Sequence, residues 1–172
     1  MTDYGLLAKQ IVSLAKIDAH WLPGLSNAAA LLWDALDDIN WAGFYLVDPA
    51  TTSDLELGLE PASQPGFPEL RLGPFQGKVA CVRIPFGRGV CGTAAATKTS
   101  QLVENVHQFS GHIACDSASN SEVVVPIFKN GQVVGVLDID SPSVARFTQE
   151  DLVGLEQVVK ALESCANFSD FC

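Results

Sequence analysis

The sequence predicts an α+β single domain, an antiparallel sheet with terminal helices on one face and loops and a short helix on the other. Three observations predict it. Helix-spaced apolar stripes stand at both ends of the chain. Six short runs suited to strands lie between them. The last two of these runs flank Asn130-Gly131, the strongest short-range hairpin signal. The 172 residues suit one domain, 1–172, with a core of its own and no internal repeat.

The elements follow in order. Residues 3–19 form the first helix, with Leu6, Leu7, Ile11, Leu14 and Ala15 on one stripe. Pro23 precedes a second helix, about Ser26 to Asp38, whose inner face is Ala29, Leu32, Trp33 and Leu36. WAGFYLVD, 41–48, is a strand. Residues 49–68 carry four prolines and no basic residue, and read as a long surface loop or flap. Strands follow near 69–72 and 79–84. GRGVCGTAAAT, 87–97, is a glycine loop entering a short helix, and QLVE, 101–104, is a short strand. Residues 105–120 are rich in His, Asn, Gly and Ser, the composition of an active loop rather than a core. SEVVVPIF (121–128) and QVVGVLDID (132–140) are apolar on both faces, which places their hairpin inside a covered sheet. Thr148 and Asp151 form a capping box, and Phe147 and Leu152 a staple, for a last helix running to about Phe168.

Composition narrows the function. Hydrophobic residues make up 48% and charged residues 17%, an ordinary globular balance. The net charge of -10 would repel a phosphate backbone and an anionic bilayer, so neither nucleic acid nor a membrane is expected as partner. No apolar run approaches the ~20 residues of a membrane span. The first residues lack the basic head, apolar block and cleavage site of a secretory signal, so a reducing cytoplasmic location is expected. The five cysteines, Cys81, Cys91, Cys115, Cys165 and Cys172, are odd in number and include no CxxC pair. That argues against a disulfide framework and against structural zinc.

The chemistry-bearing residues converge on the last hairpin. Asp138 and Asp140 lie two apart on one strand and share a face, preceded on it by Val134 and Val136. A strand end turning polar, or Asp140 capping the Ser-Pro turn, would use the same residues. Counting back from a two-residue turn pairs Glu122 with Ile139, on the wrong face. Pro126 cannot donate to the ladder, and one extra residue there would bring Glu122 to the face of the two aspartates. Three carboxylates in one semi-apolar pocket cannot all ionise freely, so at least one should hold a proton and could donate it. Cys115 sits in the polar loop GHIACDSASN, where Asp116 disfavours a thiolate and His112 favours it. Cys91 sits at a helix mouth, where the dipole favours thiolate, and Cys81 is placed in a strand alternating with Val79 and Arg83. His107 and His112 are too irregularly spaced for a metal site.

WAGFYL, LGPFQGKVACVRIPFGRGVCGTAA, HIACDSASNSEVVVPIF and GVLDIDSP strongly resemble the free methionine-(R)-sulfoxide reductases, a GAF-domain family. The resemblance runs from Ile39 to about Val159 and includes the family's three cysteines, as Cys81, Cys91 and Cys115, and its three pocket acids, as Glu122, Asp138 and Asp140. The 49–68 loop departs from it, being longer than the short turn of the bacterial members.

The resemblance implies a GAF fold of about six strands and a cofactor-free thiol reductase acting on free methionine sulfoxide. Cys115 would attack the sulfoxide sulfur and become a sulfenic acid. Cys81, or alternatively Cys91, would condense with it to a disulfide that thioredoxin reduces. Glu122 and Asp140 would handle the sulfoxide oxygen and Asp138 the ammonium, while Trp41 and Tyr45 would hold the methyl group. A non-catalytic GAF sensor of a small ligand or of redox state is the competing reading; it has no need of three cysteines and three acids. Amphipathic terminal helices are compatible with a homodimer.

Overall fold

A computed structural model describes residues 2–48, 68–111 and 118–168. The expected flap, apart from Pro68, and the His112–Asp116 stretch with Cys115 lie outside these.

The helices are α1 (Tyr4–Ala15), α2 (Trp21–Ala35), α3 (Gly89–Thr97) and α4 (Gln149–Cys165). The strands are β1 (Trp41–Asp48), β2 (Glu69–Gly77), β3 (Arg83–Pro85), β4 (Gln101–Val103), β5 (Ser121–Lys129) and β6 (Gln132–Ser141). They form one six-stranded sheet in the order β3-β2-β1-β6-β5-β4. Every neighbouring pair is antiparallel.

α1, α2 and α4 each start where a side chain can satisfy the free N–H groups of a first turn, whereas α3, entered through Arg88, has no side-chain cap. The Asp3 carboxylate accepts from Leu6 N at 2.9 Å. His20 Nδ1 accepts from Leu22 N at 3.2 Å and opens α2 at Trp21, five residues before the expected start. Pro23 therefore lies inside the first turn of α2, where a missing N–H costs nothing. Thr148 and Asp151 make the expected reciprocal capping box. Phe147 and Leu152, the expected staple pair, are both buried in the same apolar cluster.

The two faces of the sheet carry separate cores. α1, α2 and α4 cover one face, burying Leu7, Leu32, Leu155 and Leu162 against Phe44, Val125, Leu137 and Ile139. Fully burying each such side chain contributes about 1.5–3 kcal/mol. α3 covers part of the other face, with Val90, Ala94 and Ala95 near Trp41, Tyr45, Val124 and Val136. Two residues expected on the inner helix faces are not there: Leu6 is 52% exposed and Trp33 40%. Gly24, Leu25 and Ala28 line the inner face of α2 instead, because the earlier helix start extends the buried stripe toward Trp21.

Two β-bulges decide which side chains share the α3 face. Between β1 and β2, Gly43 pairs with Phe75 but Tyr45 pairs with Leu72. β2 thus carries one extra residue at Gly73-Pro74, beyond the last rung it shares with β3, where a proline costs no ladder bond to that strand. β2 consequently runs to Gly77, well past the expected end at 72. Between β5 and β6, Lys129 pairs with Gln132 across the Asn130-Gly131 turn, yet Ile127 pairs with Gly135. The positive φ values of Asn130 (50°) and Gly131 (76°) suit that two-residue turn. The extra residue is Val134, on β6, near but not at Pro126. The bulge reverses the alternation, so Val134 lies in the core under the three covering helices while Val136 faces α3. The expectation that Val134 shares the aspartates' face is corrected for that reason.

Candidate active site

The bulge at Val134 sets Glu122 directly opposite Asp140, and Val124 opposite Asp138. On the other side of β6, Trp41 pairs with Asp140, Gly43 with Asp138 and Tyr45 with Val136. Three adjacent strands therefore bring Glu122, Asp138, Asp140, Trp41 and Tyr45 to one face, the face covered by α3. Asp140 is half-buried at the solvent edge, and Glu122 and Asp138 are buried. From α3, Cys91 points at them: its Sγ lies 3.8 Å from Glu122 Oε1.

Trp41 and Tyr45 stack with ring centroids 5.7 Å apart. Phe75 stacks on Trp41 at 5.3 Å and 13° between planes. Trp41 Nε1 donates to the carbonyl of Lys78 at 3.2 Å, which fixes the indole. Phe75 was not singled out from sequence, because Gly73-Pro74 looks like the end of a strand; the bulge returns Phe75 to the aromatic face. Gly43 is the floor beneath these rings. A Cβ there would stand 2.3 Å from Phe75 Cβ and 2.7 Å from Trp41 Cη2. Gly43→Ala is expected to push the Trp41–Phe75 pair off the sheet, lowering stability by about 1–3 kcal/mol and raising KM for whatever the pocket binds. Urea unfolding and substrate titration of the variant check this; wild-type values in both would refute it.

The electrostatics differ from the expectation at one cysteine. A helix N-terminus favours an anion by about 0.3–1 kcal/mol, up to ~2 when partly buried. Burial, followed by the charges of Asp138 and Glu122, instead pushes the Cys91 thiol well above its ordinary range. Placing an anion in a dry site beside carboxylates costs more than one helix end returns. Cys91 is a neutral thiol at neutral pH, contrary to the dipole argument. Burial also pushes the Glu122 carboxyl well up, with Asp138 and Asp140 adding to it, so Glu122 keeps its proton to a higher pH than an ordinary glutamate. Tyr45 is pushed up by burial, then by Asp138, and stays neutral.

Asp138 is raised by burial from 3.8 to about 6, with Cys91 and Glu122 hydrogen bonds pulling the other way. An unfolded chain releases that proton near pH 3.9. The folded state therefore holds it more tightly between roughly pH 4 and 6, and this stabilisation, present below pH 4, is lost as the pH rises through 6. Two pKa units amount to about 3 kcal/mol. Asp138→Asn is expected to gain up to about that much at pH 8, roughly 6–12 °C in Tm, and little at pH 4. Urea titrations at the two pH values measure it; an equal change at both would refute it.

The remaining cysteines separate clearly. Cys81 carries a disulfide bond, whereas Cys91 and Cys165 are free thiols. Cys81 is not in a strand as expected. It lies half-buried in the β2–β3 connection, since β3 begins only at Arg83, and its neighbours Val79 and Val82 are 88% and 64% exposed. His107 sits in a 3₁₀ turn, Val106–Gln108, with Nε2 2.9 Å from Asn120 Oδ1. No helix among the described residues is long and apolar enough to cross a membrane.

Comparison with known proteins places this geometry. A GAF domain family model matches residues 24–165. The free methionine-R-sulfoxide reductase of Escherichia coli is 48% identical over 98% of this chain and 91% of its own length. The chain belongs to the free methionine-R-sulfoxide reductase family of GAF domains. The protein of the same name from Saccharomyces cerevisiae is 45% identical over 85% of this chain and 76% of its own. A crystal structure of the free methionine-R-sulfoxide reductase of Neisseria meningitidis, solved in complex with its substrate, superposes with a TM-score of 0.81. It is 42% identical and covers 97% of this chain and 90% of that one. The six-stranded antiparallel sheet with helices on both sides agrees with the GAF assignment and with the α+β expectation.

Proposed function

We propose that this chain is an oxidoreductase that reduces free methionine-(R)-sulfoxide to methionine, with Cys115 as nucleophile. The observation that carries the reading is the closed group of Glu122, Asp138 and Cys91 beside the Trp41–Tyr45–Phe75 wall. A carboxyl raised by burial next to an apolar slot suits a small zwitterion with a sulfoxide at one end. The family's substrate-bound relative supports the choice of ligand.

In the reaction the Cys115 thiolate attacks the sulfoxide sulfur while Glu122 gives its proton to the oxygen, with Asp140 assisting. The hydroxyl then passes to the Cys115 sulfur as the bond between oxygen and the substrate sulfur and the transient S–S bond break, releasing methionine and leaving Cys115 as a sulfenic acid. The Cys81 thiol then displaces that oxygen as water, forming a Cys81–Cys115 disulfide. A thioredoxin-type dithiol returns both to thiols and is itself oxidised. Asp138, raised only to about 6, is anionic at neutral pH and pairs with the substrate ammonium. Trp41 and Tyr45 enclose the methyl group. Apart from the external dithiol, the chain's own residues would supply all of this, without a cofactor.

Mixing the protein with free methionine sulfoxide, thioredoxin, its reductase and NADPH tests the whole reading. Continuous, substrate-dependent NADPH loss is expected from a reductase. A non-catalytic sensor would bind the ligand without it, and a redox switch would consume NADPH once.

The choice of Cys81 for recycling rests on its disulfide and on its place between exposed Val79 and Val82, where a reductant can reach the sulfur. Cys91, a buried neutral thiol, is the poorer nucleophile. Cys81→Ser is expected to release one methionine per chain and then stall with thioredoxin, while Cys91→Ser keeps turning over. Product counts from single and multiple turnovers decide the matter, and the reverse pattern would make Cys91 the resolving cysteine. Cys165, on α4, and Cys172 are expected to be dispensable.

A further inference from the structure

Absence of a CxxC pair argues against a zinc site formed by neighbours in sequence, yet the fold collects ligands from three distant positions. Cys91 Sγ, a Glu122 carboxylate oxygen and an Asp138 carboxylate oxygen lie within 4.8 Å of one another, all buried. They come from α3, β5 and β6. In a tetrahedral zinc site with bonds of about 2.0–2.3 Å, ligand atoms stand roughly 3.3–3.8 Å apart. The Cys91–Glu122 separation, 3.8 Å, is at that spacing already. The remaining gaps close by about 1.5 Å at most, within the reach of a rotamer adjustment.

A second observation points to a ligand there. Asp138 is 6% exposed, and its Oδ1 is buried with no hydrogen-bond partner among the described residues. A buried carboxylate oxygen left bare is costly unless something occupies it.

We propose that Cys91, Glu122 and Asp138 form a binding site for a thiophilic divalent cation, Zn²⁺, which fills the pocket in place of substrate and halts reduction. One sulfur and two oxygens select a borderline-soft ion over Mg²⁺ or Ca²⁺. Three protein ligands leave a fourth position for water. As the Zn–S and Zn–O bonds form, the Cys91 thiol proton and any proton held by Glu122 pass to bulk water. The inhibitory consequence rests on the reductase reading above; the binding itself does not.

The test uses the full chain in its oxidised form with Cys165→Ser and Cys172→Ser, and Co²⁺ as a visible stand-in for Zn²⁺. One equivalent of Co²⁺ is expected to give a thiolate-to-cobalt charge-transfer band in the near ultraviolet with strong tetrahedral visible bands. Zn²⁺ is expected to bleach both. Cys91→Ser should lose the near-ultraviolet band, and Asp138→Asn, which keeps the side-chain shape, should weaken binding by at least about tenfold. A Zn²⁺-dependent rise in Tm of the unmutated pocket gives an independent readout should Cys91→Ser fold poorly. Absence of the band at millimolar Co²⁺, or its survival in Cys91→Ser, overturns the site. In the reduced wild-type enzyme, Zn²⁺ is expected to suppress single-turnover methionine formation, with EDTA or excess methionine sulfoxide restoring it. Suppression that excess substrate does not relieve, or turnover untouched by Zn²⁺ that demonstrably binds, overturns occupancy of the substrate pocket. Cobalt binding by a chain that forms no methionine at all would retire the reductase reading and leave the metal site standing.

Discussion

Cys115→Ser is expected to form no methionine, even when enzyme is in excess and a single turnover would suffice. Removal of a covalent nucleophile costs on the order of 10⁴-fold or more in rate. Serine is the informative replacement, because it keeps the size and polarity of the side chain while removing the soft, ionisable sulfur. An alkoxide is inaccessible at neutral pH, and a hydroxyl oxygen cannot take up the departing oxygen as a sulfenic acid can. Neither free thiol among the described residues is placed to substitute. Cys91 is held neutral by burial and by two carboxylates, and Cys165 sits on α4, on the opposite side of the sheet. Quenched-flow sampling with quantification of free methionine is the measurement, alongside trapping of the sulfenic acid by a 1,3-diketone. Wild type should give both signals and Cys115→Ser neither. A full burst of methionine from the variant would sink the mechanism.

Asp138→Asn is expected to separate recognition from catalysis. A methionine sulfoxide within a polypeptide has no α-ammonium, so a carboxylate reserved for that group is left buried and unpaired when a peptide binds. Such a loss costs about 3–5 kcal/mol, roughly 10²- to 10³-fold or more in discrimination. The amide variant removes the charge that makes the distinction. KM for the free amino acid should rise, and preference over N-acetyl-methionine sulfoxide should shrink by a comparable factor. Glu122→Gln and Asp140→Asn are expected to act elsewhere in the cycle. Burial and the nearby aspartates raise the Glu122 carboxyl, which suits it to donate a proton, so its amide should depress kcat by roughly 10²- to 10⁴-fold, with KM little changed. Kinetics on free, N-acetylated and peptide-bound (R)-sulfoxides for wild type and the three variants settle the assignment. Efficient reduction of the peptide-bound form by wild type would refute the dedicated ammonium site.

Much of this protein was readable residue by residue. WAGFYLVD is a strand at the expected bounds. The Asn130-Gly131 turn, the Thr148–Asp151 cap and the glycine entrance to α3 lie where local chemistry puts them. Those features depend on backbone conformations and hydrogen bonds spanning a few residues, so sequence alone determines them. Sequence alone also placed Asp138 and Asp140 on one face, because β alternation carries across two residues without outside help. What only the tertiary structure decided involves partners remote in the chain. Whether Glu122 joins the aspartates depends on where the extra residue sits in the β5–β6 ladder. It sits at Val134, whose side chain packs among the residues under the three covering helices. Phe75 reaches the aromatic wall only because β2 bulges at Gly73-Pro74 beside β1. The charge state of Cys91 was misjudged from its helix position for a related reason. A dipole belongs to its own helix and is visible in the sequence. Desolvation and the fields of Asp138 and Glu122 belong to the packing of α3 on β5 and β6, and at close range in a dry pocket they are the larger effect.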